Sequence, residues 1–252
     1  LSSEKAEINL QIHCGWFPDF NPDTIAFDTK VAWQLFHTNG KIAVIVQRPT
    51  LKILGVFPPD FLSGDIYVNT TRFDSNTYYF PFNHPLGEVY LMNLLGITGL
   101  GMLLHATGVI YEGNGYVFAG HGGAGKTTTA RLWKNYSDAR IVNDDKILVR
   151  KKDNSFYMYG TPWHGEGGLA LPLHAPIRTV FILKQAKQNY SKPIPKTIAL
   201  SKLLARGFIP LWDAQKIELT LNFLEELLLE AQVEELGFLP DPSIIDFIKN
   251  SP

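Results

Sequence analysis

The sequence of 252 residues has little cysteine and almost no imbalance of charge. Its single cysteine, Cys14, has no partner for an internal disulfide and no metal-binding spacing around it. This fits a reducing compartment, so we expect a cytoplasmic protein in which Cys14 is a buried thiol. The 23 basic and 24 acidic residues leave a formal charge of −1. Because binding to a nucleic-acid backbone usually needs a clear basic excess, nucleic acid is not an expected partner.

One uncharged stretch, residues 89–111, is as long as a membrane-spanning helix. A histidine lies within this stretch, and four glycines interrupt it: Gly96, Gly99, Gly101 and Gly108. A buried helix over about residues 85–95, followed by a buried strand over about residues 102–111, explains the run better than a membrane span. No membrane partner is therefore expected.

The first third of the chain is strand-like. Short β-branched runs at residues 42–46 and 51–56 follow the pair Asn39-Gly40, which is typical of a tight turn between strands. The segment His84-Pro85 marks a boundary, after which strand and helix patterns alternate. We predict an α/β protein, with a β-rich N-terminal module over residues 1–83 and a second domain over residues 84–252.

Residues 120–127 match the pattern G-x-x-x-x-G-K-[ST] at every fixed position, between an apolar strand and a helix. The glycines let successive backbone N–H groups point at phosphate oxygens, and the start of the helix adds a favourable partial charge. Lys126 supplies a full charge to the β- and γ-phosphates, and the Thr127 hydroxyl can ligate magnesium. The pattern predicts ATP with Mg²⁺. The expected nucleotide contacts are Gly120, His121, Gly122, Gly123, Ala124, Gly125, Lys126, Thr127 and Thr128.

Two adjacent carboxylates, Asp144 and Asp145, follow the apolar run at residues 139–143. An acidic residue paired with a phosphate-binding loop commonly holds magnesium, directly or through water, which we expect of Asp144. Asp145 points elsewhere and is a candidate base for the proton of an attacking hydroxyl. The structural alternative is a turn in which these side chains bond to nearby backbone.

Other candidate residues lie in less specific contexts. His105 lies in the apolar strand that leads towards the loop, where a core histidine is the alternative reading. Trp163, His164 and Glu166 belong to a glycine-rich segment and are candidates to contact a substrate, to stack on a base or to assist magnesium. Arg178 and Arg206 are candidates to neutralise transition-state charge, with a surface or strand-end role as the alternative for each.

The order of a histidine in an apolar strand, a hairpin, the phosphate-binding loop and then a pair of aspartates resembles the catalytic domain of HPr serine kinase/phosphorylase. That family is distantly related to phosphoenolpyruvate carboxykinase. The resemblance covers residues 100–185 and implies a P-loop on a mixed sheet, rather than a purely parallel one. It also implies that Lys126, Asp145 and His105 act in catalysis, with His105 near the transferred phosphate.

Residues 159–166, 208–213 and 236–241 resemble HPr-kinase-related proteins of bacterial peptide-modification clusters, some of which phosphorylate a peptide serine. The glycine-rich signature of HPr kinases themselves is not evident after the acidic pair. The resemblance therefore does not extend to HPr as the substrate, to phosphorolysis or to a hexamer.

Together these features predict an ATP- and magnesium-dependent kinase that transfers the γ-phosphoryl group to a hydroxyl, with a serine of a peptide or protein as the acceptor. One alternative is an enzyme acting on a small metabolite, either a kinase or a carboxykinase-like enzyme. Another is a nucleotide-gated binding module without catalysis. An oligomer is compatible with the sequence.

Overall fold

A computed structural model describes residues 7–49, 51–70 and 80–250 of the chain. The fold is mixed α/β, with five helices and two mixed sheets among the described residues. The chain divides into two compact units. One comprises Leu1–Ile97 with Pro210–Ala214, and the other comprises Thr98–Ile209 with Gln215–Pro252. No helix in the described ranges is long and apolar enough to cross a membrane.

The first unit is built on a six-stranded sheet in the order β1-β6-β5-β4-β3-β2. Its strands are β1 (Asn9–Cys14), β2 (Thr24–Asp28), β3 (Trp33–Thr38), β4 (Lys41–Arg48), β5 (Leu51–Phe57) and β6 (Ser63–Thr70). Strand β1 runs parallel to β6, and the other neighbours are antiparallel. The predicted turn between β3 and β4 is confirmed: Asn39 and Gly40 have φ of 48° and 71°, the left-handed conformation that a tight hairpin requires.

Helix α1 (Leu86–Thr98) belongs to the first unit. Its Tyr90 hydroxyl donates to the Phe61 carbonyl at 2.7 Å, and the Tyr90 ring lies 5.2 Å from that of Phe57. We predicted that this helix belongs to the second domain, whereas residues 86–97 group with the first unit in the structure. A second correction concerns Cys14: the expected buried thiol is exposed, since β1 is an edge strand.

The second unit is built on a nine-stranded sheet with the main order β11-β10-β7-β8-β12-β15-β13, in which β9 and β14 also pair with β7. The strands are β7 (Gly101–Tyr111), β8 (Asn114–Ala119), β9 (Arg140–Asn143), β10 (Lys146–Lys152), β11 (Ser155–Gly160), β12 (His174–Gln185), β13 (Tyr190–Pro193), β14 (Gly207–Phe208) and β15 (Gln232–Phe238). Strands β8, β12 and β15 are parallel, whereas β7 and β8 form an antiparallel hairpin. The uncharged run at residues 89–111 is therefore α1 followed by β7.

Helices cover both faces of this sheet: α2 (Lys126–Tyr136), α3 (Lys196–Leu204), α4 (Ala214–Glu230) and α5 (Ser243–Lys249). Successive residues of a strand point to opposite faces. Val117 of β8 accordingly lies in a core with residues of α3 and α4, while its neighbour Phe118 lies in a core with residues of α2 and α5. Burial on both faces explains why β7 and β8 are almost wholly apolar.

Candidate functional site

The glycine-rich loop, residues 120–127, connects β8 to α2 in a conformation that requires two of its glycines. Gly123 and Gly125 have φ of 78° and 108°, which L side chains rarely adopt. A Cβ on Gly125 would also lie 2.6 Å from the ring of Phe238. The loop therefore packs closely against the end of β15, and its backbone leaves no room for side chains at this point.

Backbone donors at the start of α2 are available for a ligand. The N–H groups of Gly125, Lys126 and Thr127 donate to no group in the described chain, and no side chain caps this helix. Such unsatisfied donors carry the positive end of the helix dipole. An anion placed here would meet several N–H groups at once, which is the arrangement found at phosphate sites.

The Lys126 side chain folds over the loop instead of extending into solvent. Its Nζ donates to the carbonyl oxygens of Gly120 at 2.9 Å and His121 at 3.1 Å, and the residue is 7% exposed. Burial lowers the pKa of Lys126, with the positive charge of Arg206 acting in the same direction and Asp145 opposing it. An anionic ligand would therefore find a cation that has already lost most of its hydration.

Two polar side chains that the sequence analysis did not single out hold the loop in place. The Thr107 hydroxyl, on β7, lies 3.2 Å from the Lys126 carbonyl and 3.3 Å from the Asp144 carbonyl. Gln185, at the end of β12, donates from Nε2 to the Gly123 carbonyl at 2.7 Å. Thr107 thus joins the loop to the acidic pair, although Asp144 follows Lys126 by 18 residues in the sequence.

Asp144 is almost completely buried, with 1% of its surface exposed. Its Oδ1 accepts the Gly165 N–H at 2.8 Å, and its Oδ2 accepts the Gly167 N–H at 2.7 Å. These bonds satisfy a carboxylate that would otherwise be costly to bury. Thr127 lies nearby, since a Cβ on Gly167 would touch Thr127 Cγ2 at 3.4 Å.

Asp145 faces two nitrogen donors. Nδ1 of His105 lies 3.0 Å from both the Oδ1 and the backbone carbonyl oxygen of Asp145, and the Asp145 Oδ2 bonds to Nζ of Lys146. The hydrogen bond with His105, supported by Lys146, outweighs burial and holds the pKa of Asp145 well below its usual range. The backbone completes the arrangement, because the Asp145 carbonyl accepts the Ala106 N–H at 3.0 Å. The side chains of the two aspartates therefore point to different neighbours.

Asn143, which the sequence analysis missed, organises the turn that carries both aspartates. Its Oδ1 accepts the N–H groups of Asp145 and Lys146, each at 2.8 Å. Its Nδ2 donates to the carbonyls of Trp163 at 2.6 Å and Thr161 at 3.1 Å. The side chain is fully buried and joins the acidic pair to the glycine-rich segment that follows β11.

Arg206 lies next to His105, whose backbone N–H donates to the Arg206 carbonyl at 2.8 Å. Its Nη1 donates to the Lys202 carbonyl at 2.6 Å, while its buried Nε has no hydrogen-bond partner in the described chain. Burial lowers the pKa of Arg206. The guanidinium of Arg206 is therefore incompletely hydrogen-bonded. Its positive charge also helps to lower the pKa of Lys126, so the surroundings of Lys126 carry positive charge.

The three candidates in the glycine-rich segment have different surroundings. His164 and Glu166 are exposed, whereas Trp163 is only 8% exposed and presents little surface for stacking on a base. His121 is exposed, and its Nδ1 lies 2.6 Å from the Gly122 carbonyl. The structure therefore brings together the loop, His105 and both aspartates, but leaves Trp163 inside the fold.

The donor set at Thr127 and Asp144 suits a small, hard cation. A hydroxyl and a carboxylate are both oxygen ligands, and Mg²⁺ is usually held by one or two such groups together with water and substrate phosphates. The described residues contain no group of three or more His, Cys, Asp or Glu that would bind a metal alone. Thr127 and Asp144 are the residues here that could hold such a cation.

No protein-family model matches the sequence, and no curated protein matches it. Among solved structures, the Hpr(Ser) kinase/phosphatase from Coxiella burnetii is similar to part of the chain, with a TM-score of 0.31 and 11% sequence identity. The match covers 59% of this chain and 94% of that one.

Proposed function

We propose that this chain is a kinase that uses ATP and Mg²⁺ to phosphorylate a hydroxyl, namely a serine of a peptide or protein. The observation that carries the proposal is the connection between the glycine-rich loop and the acidic pair. Thr107 bonds to the carbonyls of both Lys126 and Asp144, so that the glycine-rich loop and the acidic pair form one unit. A phosphate-binding loop joined to a carboxylate is what phosphoryl transfer needs.

The triphosphate would lie against the unsatisfied N–H groups at the start of α2. Its oxygens would replace the carbonyls of Gly120 and His121 as partners of Lys126. That exchange is favourable because a charged phosphate is a stronger acceptor than a neutral carbonyl. Magnesium held at Thr127 and Asp144 would, when bound, neutralise charge on the phosphates.

Asp145 would receive the acceptor hydroxyl. An ionised carboxylate accepts the hydrogen bond of the hydroxyl and orients its oxygen in line with the γ-phosphorus. As the new oxygen–phosphorus bond forms, the bond from phosphorus to the oxygen of ADP breaks, and the hydroxyl proton passes to Asp145. His105 would hold the carboxylate in position through Nδ1. Arg206 and Lys126 would balance the charge on the transferred group.

The proposal of a peptide serine as the acceptor rests on the residue pattern that resembles peptide-phosphorylating relatives of HPr kinase. The second carboxylate, Asp145, supports catalysis over simple nucleotide binding, because a binding module needs only the loop and a metal ligand. Asp145, which is 17% exposed, remains accessible to a partner while its pKa keeps it ionised.

The direct test combines binding with transfer of label. Calorimetry with Mg²⁺ and a non-hydrolysable ATP analogue measures nucleotide binding. Incubation with γ-labelled ATP, a serine-containing peptide library and a separate set of hydroxylated metabolites identifies the acceptor. Label on peptide serine supports the proposal. Label on a metabolite alone would show that the acceptor is wrong, and nucleotide binding without transfer to any hydroxyl would show that the chain is a binding module.

A further inference from the structure

A tight turn of four residues, the Gly165–Gly168 turn, closes directly over Asp144. The Gly168 N–H donates to the Gly165 carbonyl at 3.1 Å, and Gly168 has a φ of 64°. Within this turn, the N–H groups of Gly165 and Gly167 point at the two oxygens of Asp144, at 2.8 and 2.7 Å. The turn therefore acts as a two-donor clamp on one carboxylate.

The same turn also lies against Thr127. A Cβ on Gly167 would overlap Asp144 Oδ2 and would touch Thr127 Cγ2 at 3.4 Å. Gly167 thus bonds to Asp144 and lies beside Thr127, the two residues that the proposed function assigns to magnesium. A side chain at position 167 would fill the space beside them, so the close approach of the turn depends on glycine.

The two N–H donors of the turn and a bound cation would each stabilise the negative charge of Asp144. Asp144 is 1% exposed, and an unpartnered carboxylate at that depth would be strongly destabilising. Hydrogen bonds from N–H groups to an ionised carboxylate stabilise it. A divalent cation on the same oxygens stabilises it as well. A carboxylate oxygen can bind a cation and accept an N–H at once, but Gly167 lies close to both Oδ2 and Thr127, where a cation held by these two residues would lie. The two arrangements therefore compete for Asp144.

The residues on either side of the turn are held firmly by groups other than Asp144's carboxylate. Before the turn, the Thr161 hydroxyl donates to the Lys146 carbonyl at 2.8 Å, and the Trp163 carbonyl is held by Asn143. After the turn, the Leu171 N–H donates to the Val142 carbonyl at 2.9 Å. The Leu169 carbonyl also accepts the backbone N–H of Asp144 at 3.1 Å, so only a short piece with three glycines, part exposed and part half-buried, lies between these anchors.

We propose that the Gly165–Gly168 turn is a cover over Asp144 that competes with magnesium and is displaced when the Mg²⁺–nucleotide complex binds. This proposal rests on the proposed function, and it adds a regulatory step to the same site. In the ligand-free chain the turn covers Asp144 and donates hydrogen bonds to both of its carboxylate oxygens. Metal and phosphate together replace its two N–H donors, so that opening is coupled to the arrival of the correct ligand.

Amide hydrogen exchange, read by NMR at single residues, tests the cover without an activity assay. The N–H groups of Gly165 and Gly167 should exchange slowly in the free protein. Saturation with Mg²⁺ and a non-hydrolysable ATP analogue should speed their exchange by about tenfold or more, because their acceptor is taken by the metal. The Leu171 N–H, on the same segment but bonded to Val142, is the internal control and should not change.

The outcomes separate this proposal from the function on which it rests. Unchanged or slower exchange at Gly165 and Gly167 in a protein shown by calorimetry to be saturated would overturn the cover and leave the kinase proposal standing. Absence of nucleotide binding in calorimetry would overturn the proposed function, and the cover with it. Magnesium alone should give a smaller increase in exchange than magnesium with nucleotide.

A substitution provides an independent test. In Gly167→Ala the new Cβ overlaps Asp144 Oδ2, so the turn must withdraw, and no positive φ adds backbone strain. We expect the Kd for the Mg²⁺–nucleotide complex to fall by about threefold or more, because the ligand no longer has to displace the turn. Gly165→Ala is the matched comparison: its Cβ would lie 3.2 Å from Asp145 Cβ and 3.3 Å from Asp144 Oδ2, so a smaller change is expected. Weaker nucleotide binding by a folded Gly167→Ala protein would show that the turn assists the metal and would contradict the cover.

Discussion

Nδ1 of His105 lies 3.0 Å from Oδ1 of Asp145, and Lys146 occupies the second oxygen of the same carboxylate. The histidine comes from β7 and the aspartate from the turn before β10, which pairs with β7 in antiparallel register. A carboxylate held from two sides keeps both its orientation and its charge. The proposed base is therefore positioned before any acceptor arrives.

Asp145→Asn should lower the rate of phosphoryl transfer by about 10²–10⁴-fold, the usual contribution of a general base. The amide keeps the shape of the side chain but cannot take the hydroxyl proton. Nucleotide affinity should change much less, because Asp145 is not assigned to the phosphates. Initial rates with labelled ATP and calorimetry with the analogue measure the two effects. Asp153→Asn, an exposed substitution in the turn between β10 and β11, is the matched control. Full turnover by Asp145→Asn would show that the base has been assigned wrongly.

Lys126→Ala should weaken nucleotide binding by about tenfold to a hundredfold, which corresponds to the 1.5–3 kcal/mol of hydrogen bonds to a charged group. In the variant the carbonyls of Gly120 and His121 lose this donor. Lys134→Ala, on the exposed side of the same helix, removes an equal charge and serves as the control. Equal affinities of the two variants in calorimetry would argue against phosphate binding at this loop.

The sequence predicts those parts of the site in which the local backbone conformation determines the type of residue. Gly123 and Gly125 occupy conformations that favour glycine, and Asn39-Gly40 forms the expected hairpin turn. The glycine-rich loop and the acidic pair could be found in the same way, because each is a contiguous pattern with a mechanical reason for its residues.

The parts that the sequence does not reveal depend on which strands become neighbours. Thr107 meets the loop only because β7 lies between β8 and β10 in the sheet. Gln185 reaches Gly123, 62 positions away, because β12 is the other neighbour of β8. Helix α1 likewise belongs to the first unit because of contacts with residues distant in the sequence, such as those of Tyr90 with Phe57 and Phe61. A histidine, threonine or glutamine at such positions has no distinguishing local pattern, so sheet order has to be known first.

Asn143→Ala should destabilise the second unit by about 2–4 kcal/mol, because it leaves several buried donors and acceptors without partners. The N–H groups of Asp145 and Lys146 lose their acceptor, and the Trp163 carbonyl loses its donor. Urea unfolding followed by tryptophan fluorescence measures the change. Asn135→Ala, on an exposed position of α2, should change stability by less than about 0.5 kcal/mol. Equal stability of the two variants would mean that water replaces the Asn143 contacts at little cost.

Gly125→Ala should both destabilise the fold and remove nucleotide binding, since two independent obstacles meet at this residue. Its φ of 108° is unfavourable for alanine, and the new Cβ would lie 2.6 Å from the Phe238 ring. Together we expect a loss of about 2–4 kcal/mol in the free energy of unfolding. Gly122→Ala is the matched control for stability, because its Cβ meets nothing within 4 Å and its φ is not positive.

The double variant Gly125→Ala/Phe238→Leu separates the two obstacles. Removing the ring relieves the overlap but leaves the backbone conformation unchanged. If the overlap dominates, the double variant should be more stable than the sum of the single changes by about 1 kcal/mol or more. If the backbone dominates, the changes should simply add. In both cases nucleotide affinity should stay low, because the backbone conformation of Gly125 sets the direction of the N–H groups that follow it. Recovery of affinity in the double variant would contradict this assignment and would show that loop packing, rather than φ at Gly125, orients the donors.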